Sequence, residues 1–427
     1  MKRQALWAVT IGCLCAGGTG AALAADPTPT EQLGRAIFFD ETLSLNENQS
    51  CATCHDPAAG WTGGTALINA YGAVYEGSIP GAFGDRKPPS AAYATQSPIL
   101  FRDRSGHFTG GNFWDGRATG ERLGSPAAEQ AQGPFLNPKE QALPDSACVV
   151  YRVCMAAYPV ALNDLVPGAC AISWPSDTDT VCRTPADLVA LSDADREQAN
   201  IAYDLIAFAI AAYEASPEVN AFTSKFDYAH GGKGKGPKAS KVKLSKEEQR
   251  GLALFRGKGK CAKCHTLGDQ PALFTDFTFD NLGLPPNPEN PVYATSPDFV
   301  DAGLGGFLAS RPDYADFAQE NRGKHKVPTL RNVAQGPEGL IKAYGHNGYF
   351  KSLEGIVHFY NTRDVKPTCP GAYTEAEALA AACWPAPEVA ENLNTDELGD
   401  LGLTPADEAA IVAFLKTLSD NFDPLVP

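Results

Sequence analysis

Two short stretches, CATCH at residues 51–55 and CAKCH at residues 261–265, constrain this chain more than any other feature. Each is a C-x-x-C-H unit: Cys51, Cys54 and His55 in the first, Cys261, Cys264 and His265 in the second. Two thiols and one imidazole at this spacing can meet a single flat macrocycle. The thiols add to the vinyl groups of a haem and the histidine ligates its iron, so the unit is the attachment signal for c-type haem. The competing uses are a zinc site, which needs further ligands near each unit, and a redox dithiol, which needs a β-rich thioredoxin-like fold. Neither accompaniment is present. The sequence predicts two covalently attached c-type haems held by one chain.

Attachment of this kind belongs to an exported protein, and the first residues agree. Lys2 and Arg3 open the chain, Leu6 to Gly18 are apolar or small, and Ala22-Leu23-Ala24 suits signal-peptidase cleavage. Residues 1–25 are therefore read as a signal peptide and the mature protein as periplasmic. That stretch is too short for a good membrane span, and no later run reaches one. Removing Lys2 and Arg3 moves the formal net charge from −15 to −17. An acidic surface argues against nucleic acid and suits a basic protein partner, although solubility alone would explain it as well. Twelve cysteines are present; Cys13 and Cys15 leave with the signal and four serve the haem units. The remaining six, Cys148, Cys154, Cys170, Cys182, Cys369 and Cys383, read as disulfides in an oxidising compartment. Cys369 and Cys383 are expected to close one loop, and the other four allow three pairings.

The two haem units divide the chain. Residues 30–44 precede the first and residues 244–260 the second, and both segments read as an amphipathic helix followed by a short loop. Ser245 and Glu248 form a capping box. LTPADEAAIVAFLKTLSDNF near the end reads as a helix with Thr404 as N-cap and Pro405 in the first turn. Alternating strand patterns are few, and 33 Pro and 41 Gly imply long ordered loops. The expected fold is mainly α: an N-terminal c-type haem domain over 26–229, a Gly/Lys-rich linker over 230–243, and a C-terminal c-type haem domain over 244–427. Residues 141–198 carry four cysteines and little periodicity, and read as a disulfide-braced insertion.

The second axial position of each iron decides its task, because a strong sixth ligand makes an electron carrier and an open position admits peroxide or oxygen. Beyond Met1 the chain has one methionine, Met155, inside the cysteine-rich insertion. The usual His/Met pair is therefore not expected at either haem. His107, His230, His325, His346 and His358 remain as other ligands, so two bis-His sites stay open.

FWDGRATG from Phe113, with Gln130, Gly133-Pro134 and NPKE, resembles the bacterial diheme cytochrome c peroxidases and the related MauG proteins. KVPTLRNVAQGPEGLIKAYGHNGYFKSLEGIVHFYN, residues 326–361, resembles them too, and with both haem units the resemblance spans most of residues 30–420. It implies an N-terminal haem that reacts with hydrogen peroxide and a C-terminal haem that transfers electrons. It implies that Trp114 lies between them and that Gln130 and Glu140 flank the peroxide site, with Glu140 as acid–base group. A buried carboxyl suits that task, because O–O cleavage moves a proton from the near oxygen to the far one. Taken without the resemblance, Glu140 and Gln130 would be solvated side chains and Trp114 core packing.

The departures from the family pattern narrow the reading. A distal histidine is expected sixteen residues after the first proximal histidine; here that residue is Tyr71, and no histidine lies between His55 and His107. The first haem is thus expected to be five-coordinate, with His107 the one residue able to close it by another path. The second axial ligand falls fourteen residues after His346, at Tyr360, where the peroxidases usually have Met and MauG proteins have Tyr. Phenolate is a hard anionic donor that favours ferric and higher iron; the alternative for Tyr360 is packing, and His358 is the weaker ligand. The family's interdomain calcium is in doubt, because Lys87 stands at its Asn position. The resemblance therefore implies a peroxide-dependent oxidoreductase fed by a small cytochrome or copper protein. A MauG-like modifier of a partner protein's side chains and a simple electron carrier are the alternatives.

Overall fold

A computed structural model of the chain describes residues 26–230, 242–268 and 271–424. The expected signal peptide and residues 231–241 of the expected linker lie outside the described residues. The chain is 37% helical. Strand among the described residues amounts to two antiparallel ribbons, β1 (Phe101–Arg102) with β2 (Phe108–Thr109), and β3 (Phe279–Asp280) with β4 (His325–Lys326). Ordered loops make up most of the remainder. Seven described helices reach ten residues or more: α1 (Pro29–Phe38), α2 (Pro126–Leu136), α3 (Ser146–Met155), α4 (Asp193–Ala215), α5 (Lys246–Arg256), α6 (Leu353–Thr362) and α7 (Pro405–Lys416).

The helix starts are written locally. At α1, the Thr28 hydroxyl accepts from the Glu31 amide and the Glu31 carboxylate accepts from the Thr28 amide at 2.6 Å. Ser245 with Glu248 at α5 and Thr404 with Asp407 at α7 make the same reciprocal pair. Each box satisfies two amides that a helix start leaves without partners.

Two helix crossings of one design organise the molecule. α1 lies on α4, and α5 lies on α7. Gly34 faces the α4 backbone so closely that a Cβ there would stand 1.8 Å from the Ala209 carbonyl oxygen; at Gly251 it would stand 1.9 Å from that of Ala410. Tyr213 and Phe414 flank the two contacts in equivalent places. Glycine is required at both positions, because any side chain would push the helices apart. Around the first crossing α2 and α3 also pack on α4, and the core includes Leu33, Ile37, Phe38, Val150 and Ile206. Around the second, α6 packs on α7, with Phe255, Phe274, Leu353, Phe414 and Leu418 in the core. This second core already includes Phe226, ahead of residue 230.

The cysteine-rich stretch is more regular than its sequence suggests. α3 starts at Asp145, whose carboxylate caps the Ala147 amide. Ala147, Cys148, Val149, Val150, Arg152 and Val153 are all buried, so the helix has no wide polar face to produce a visible period. The bridges are Cys148–Cys182, Cys154–Cys170 and Cys369–Cys383. The first two tie α3 to the loops that follow it, and the third is the one expected from sequence.

Candidate haem centres

Both C-x-x-C-H units form a single tight turn. The His55 amide donates to the Cys51 carbonyl at 3.0 Å and the His265 amide to the Cys261 carbonyl at 2.9 Å, so each histidine directly follows a helical turn that carries both sulfurs. Their imidazoles are held alike. Nδ1 of His55 lies 3.2 Å from the Trp61 carbonyl oxygen, and Nδ1 of His265 lies 3.0 Å from that of Phe274. An Nδ1–H donated to a carbonyl leaves Nε2 as the free lone pair, the arrangement of a metal-binding histidine. Burial lowers both imidazole pKa values and keeps the ligating neutral form.

The thiols answer the competing readings. Cys51, Cys54, Cys261 and Cys264 stay unpaired while the other six described cysteines form bridges. Burial pushes Cys54, Cys261 and Cys264 up to about 12, the opposite of an activated redox thiol. Zinc fails as well. Among the described residues the one group of three or more His, Cys, Asp or Glu donors close enough to share a metal ion is Asp301, His325 and His346, and it contains no residue of either unit.

Each unit opens into its own cavity. Both cavities are partly open, and the one beside the second unit is the larger. His55, Cys51 and Cys54 line the first together with Gln130, Glu140, Arg117 and Glu214. Gln130 is on α2 and Glu140 on the turn that ends it, where the Glu140 amide donates to the Asn137 carbonyl at 2.9 Å. Burial raises the Glu140 carboxyl pKa, against the opposing pull of Arg117 and Asn137. Glu214, near the end of α4, went unnoticed in the sequence because it sits in an ordinary helical stretch. It is 4% exposed, and burial alone pushes it up to about 8.

His265, Cys261 and Cys264 line the second cavity with Tyr360 of α6. Among the described residues the Tyr360 hydroxyl has no hydrogen-bond partner, and burial, with Cys261 and Cys264 adding to it, pushes its pKa far above the ordinary value. A half-buried phenol that makes no hydrogen bond to another described residue fits an axial ligand, because an iron would supply the positive charge that a phenolate there needs. Its rival His358 is turned away, with Nδ1 3.0 Å from Glu408. Trp114 lines both cavities, and its indole N–H donates to the Lys87 carbonyl at 2.8 Å.

The other ligand candidates lie elsewhere. His107 is exposed, next to the tip of the β1–β2 hairpin, and lines neither cavity. Tyr71 is 56% and Met155 61% exposed. His230 stacks on Phe226 and lies 3.1 Å from its carbonyl. Lys87 is buried between the cavities and lines both. Its ammonium donates to the Thr62 hydroxyl at 3.0 Å and the Pro88 carbonyl at 2.9 Å, and burial lowers its pKa to about 8. Oxygen atoms of the kind that would hold a cation thus already hold one. Lys326 and Lys342, both half-buried, likewise donate to carbonyl oxygens.

Comparison with known proteins follows the same lines. A family model for di-haem cytochrome c peroxidase matches residues 28–235. Over 408 residues, 92% of this chain and 89% of the relative, the chain is 35% identical to the methylamine utilization protein MauG of Paracoccus denitrificans (strain Pd 1222). It is 25% identical over 413 residues to cytochrome-c peroxidase IdrP2 of Pseudomonas sp. (strain SCT), covering 92% of this chain and 82% of that one. Among solved structures, the diheme peroxidase BthA from Burkholderia thailandensis E264 superposes with a TM-score of 0.70 at 29% identity, over 93% of this chain and 87% of that chain.

Proposed function

Because the chain belongs to the di-haem cytochrome c peroxidase family that includes MauG, we propose that it is a periplasmic enzyme that reacts with hydrogen peroxide on the His55 side and exchanges electrons with a protein on the His265 side. Members of this family are peroxide-using oxidoreductases, and the chain is an oxidoreductase of that kind. The observation that carries the finer reading is the placement of Trp114 on the walls of both cavities. One wall holds a proximal-type histidine with Glu140 and Gln130, the other a proximal-type histidine with an unpartnered tyrosine. The two C-x-x-C-H units would divide the chain into two haem domains, near 26–229 and 244–427.

When bound, the haems supply the irons that accept peroxide and store oxidising equivalents. The chain's residues do the rest. Cys51, Cys54 and His55 would hold one haem; Cys261, Cys264, His265 and Tyr360 would hold the other. Reduction of hydrogen peroxide to two waters consumes two electrons and two protons. The Glu140 carboxylate would take the proton of the near oxygen and, as the carboxylic acid, return it to the far one, a role that a raised pKa suits. Gln130, neutral and able to donate and accept, orients the peroxide or the Glu140 carboxyl. Trp114 bridges the two cavities as the path for electrons. Among the described residues His55 is the one histidine on the first cavity wall, so a haem held there would have no second histidine to keep peroxide out. Lys87 supplies the fixed positive charge between the haems, so added calcium leaves the haem spectra of the dialysed protein unchanged.

A second reading shares the same peroxide chemistry but takes the electrons from side chains of a partner protein. Tyr360 favours it, as does the extent of similarity to MauG. The electron source separates the two. Rapid turnover of peroxide with reduced cytochrome c supports the peroxidase. A peroxide-dependent covalent mass change in a neighbour-encoded partner protein, without such turnover, supports the modifier. Inertness toward peroxide with every donor would leave only an electron carrier and defeat both.

A further inference from the structure

Three aromatic rings stand beside each C-x-x-C-H unit, in one arrangement but with different chemistry. Beside the first are Phe38 of α1, Trp61 and Tyr213 of α4; beside the second are Phe255 of α5, Phe274 and Phe414 of α7. Their positions correspond. Tyr213 and Phe414 flank the two glycine crossings. Trp61 and Phe274 supply the carbonyls that face His55 and His265, and both hold left-handed backbone, at φ 63° and 54°. Phe38 and Phe255 each line the cavity on their own side. The rings meet edge to face at nearly the same distances. Their centres are 5.8, 5.4 and 6.0 Å apart in the first triad and 6.2, 5.2 and 6.2 Å apart in the second.

Three phenylalanines therefore meet the packing need beside His265. Beside His55 two of the three positions carry Trp and Tyr, whose indole and phenol give up an electron far more readily than a phenyl ring. The Tyr213 phenol also has somewhere to send its proton. Its hydroxyl donates to Glu218 Oε1 at 2.9 Å, and Arg35 Nε donates to both oxygens of that carboxylate, at 3.0 and 3.1 Å, which fixes it in place. The Glu218 side chain is 43% exposed, so a proton received there can pass to water. Three other buried tyrosines lack such an exit: Tyr203 and Tyr349 donate to backbone carbonyls, and Tyr93 donates to Asp420, itself buried.

We propose that Trp61 and Tyr213 form a relief path, separate from Trp114, that drains oxidising equivalents from the His55 side toward the surface at Glu218 when no partner protein delivers electrons. The proposal rests on the reading that peroxide reacts on the His55 side. Trp61 passes one electron inward and recovers it from Tyr213. The phenol loses that electron together with its proton, which moves to the Glu218 carboxylate, and a neutral tyrosyl radical remains. A small diffusible one-electron reductant, such as ascorbate, returns one electron, and a proton restores the phenol. Two such rounds supply the two electrons that reduction of one peroxide consumes. The second triad offers no equivalent path, because none of its three rings carries a readily oxidised group.

The test uses the holoenzyme with both haems attached, mixed with one equivalent of hydrogen peroxide without a donor and frozen for electron paramagnetic resonance. A tyrosyl radical should appear, recognised by the narrowing of its spectrum in protein grown with ring-deuterated tyrosine. Tyr213→Phe keeps the ring and its packing and should lose that signal. The first optical response of its haems to peroxide should match the parent's, and the oxidised haem spectrum should outlast the parent's. A parental haem response with no tyrosyl signal overturns the proposal and leaves the peroxide reading standing. So does an unchanged signal in Tyr213→Phe. Haems that ignore peroxide overturn both. If Tyr213→Phe fails to hold haem, Glu218→Gln, a change at an exposed side chain that removes the proton acceptor, should lose most of the signal, and an unchanged signal there overturns the proposal.

Discussion

Glu140 and Glu214 are both acidic groups on the wall of the first cavity, yet their surroundings give them different duties. Glu140 is only partly buried, and Arg117 and Asn137 favour its ionised form against the burial that raises its pKa. Glu140→Gln should slow the reaction with peroxide about 10²- to 10⁴-fold, with the haem spectrum of the resting protein retained, as stopped-flow absorbance would show. Glu214 is held up to about 8 by burial alone and keeps its proton. The folded state therefore binds that proton more tightly than the unfolded chain, whose carboxyl titrates near 4.3. This contribution to stability is full below that value and is lost as pH rises toward about 8, at up to roughly 1.4 kcal/mol per pH unit. Urea unfolding of Glu214→Gln across that window should show a flatter pH dependence than the parent; an unchanged slope would mean that Glu214 has a partner or solvent access. The sequence marks Glu140 only through the family resemblance, which pairs it with Gln130 ten residues earlier. It marks Glu214 not at all, because nothing in a helical run of Ala, Tyr and Glu says which side chain faces a cavity.

At the level of elements, the two helix crossings define the frame that presents each histidine. Gly34→Ala or Gly251→Ala would put a methyl group within 2 Å of a carbonyl on the partner helix, 1.8 Å at Ala209 and 1.9 Å at Ala410. Backbone must shift, at a cost of about 1–3 kcal/mol or more. Each variant should unfold at lower denaturant and incorporate haem poorly on its own side, seen as a loss of about half the pyridine-haemochrome signal. The nested bridges of the insertion act differently. Cys154–Cys170 closes a loop of sequence separation 16, and its removal as Cys154→Ser/Cys170→Ser should cost about 3 kcal/mol through the unfolded chain. The haem spectra should stay parental, because neither cysteine lines a haem cavity. Both frames were partly legible. The capping box at Ser245, the Thr404 N-cap and the apolar spacing gave away α5 and α7, and the Cys369–Cys383 loop is short enough to guess. α3 was not legible, because burial on most sides erases its period, and the pairing of four nearby cysteines cannot be derived from their order.

Across the whole molecule, the repeated C-x-x-C-H unit carried most of what could be read in advance: two cofactors, two helical surroundings and an exported chain. What it could not show is how the halves meet. Trp114 and Lys87 line both cavities only because the loop around Lys87 and the loop around Trp114 pack together, with the indole N–H on the Lys87 carbonyl. The buried group of Asp301, His325 and His346 likewise joins separate segments of the chain, and two of its members had appeared merely as spare histidines. The central claim is that the His55 iron is open and that it communicates with an iron held by His265 and Tyr360. Optical and electron paramagnetic resonance spectra of the ferric protein, before and after one equivalent of hydrogen peroxide and without any reductant, test it most directly. The account predicts one high-spin and one low-spin haem at rest, both changing when peroxide is added. Two low-spin haems that ignore peroxide would contradict it, because the first iron would then be closed by a sixth ligand.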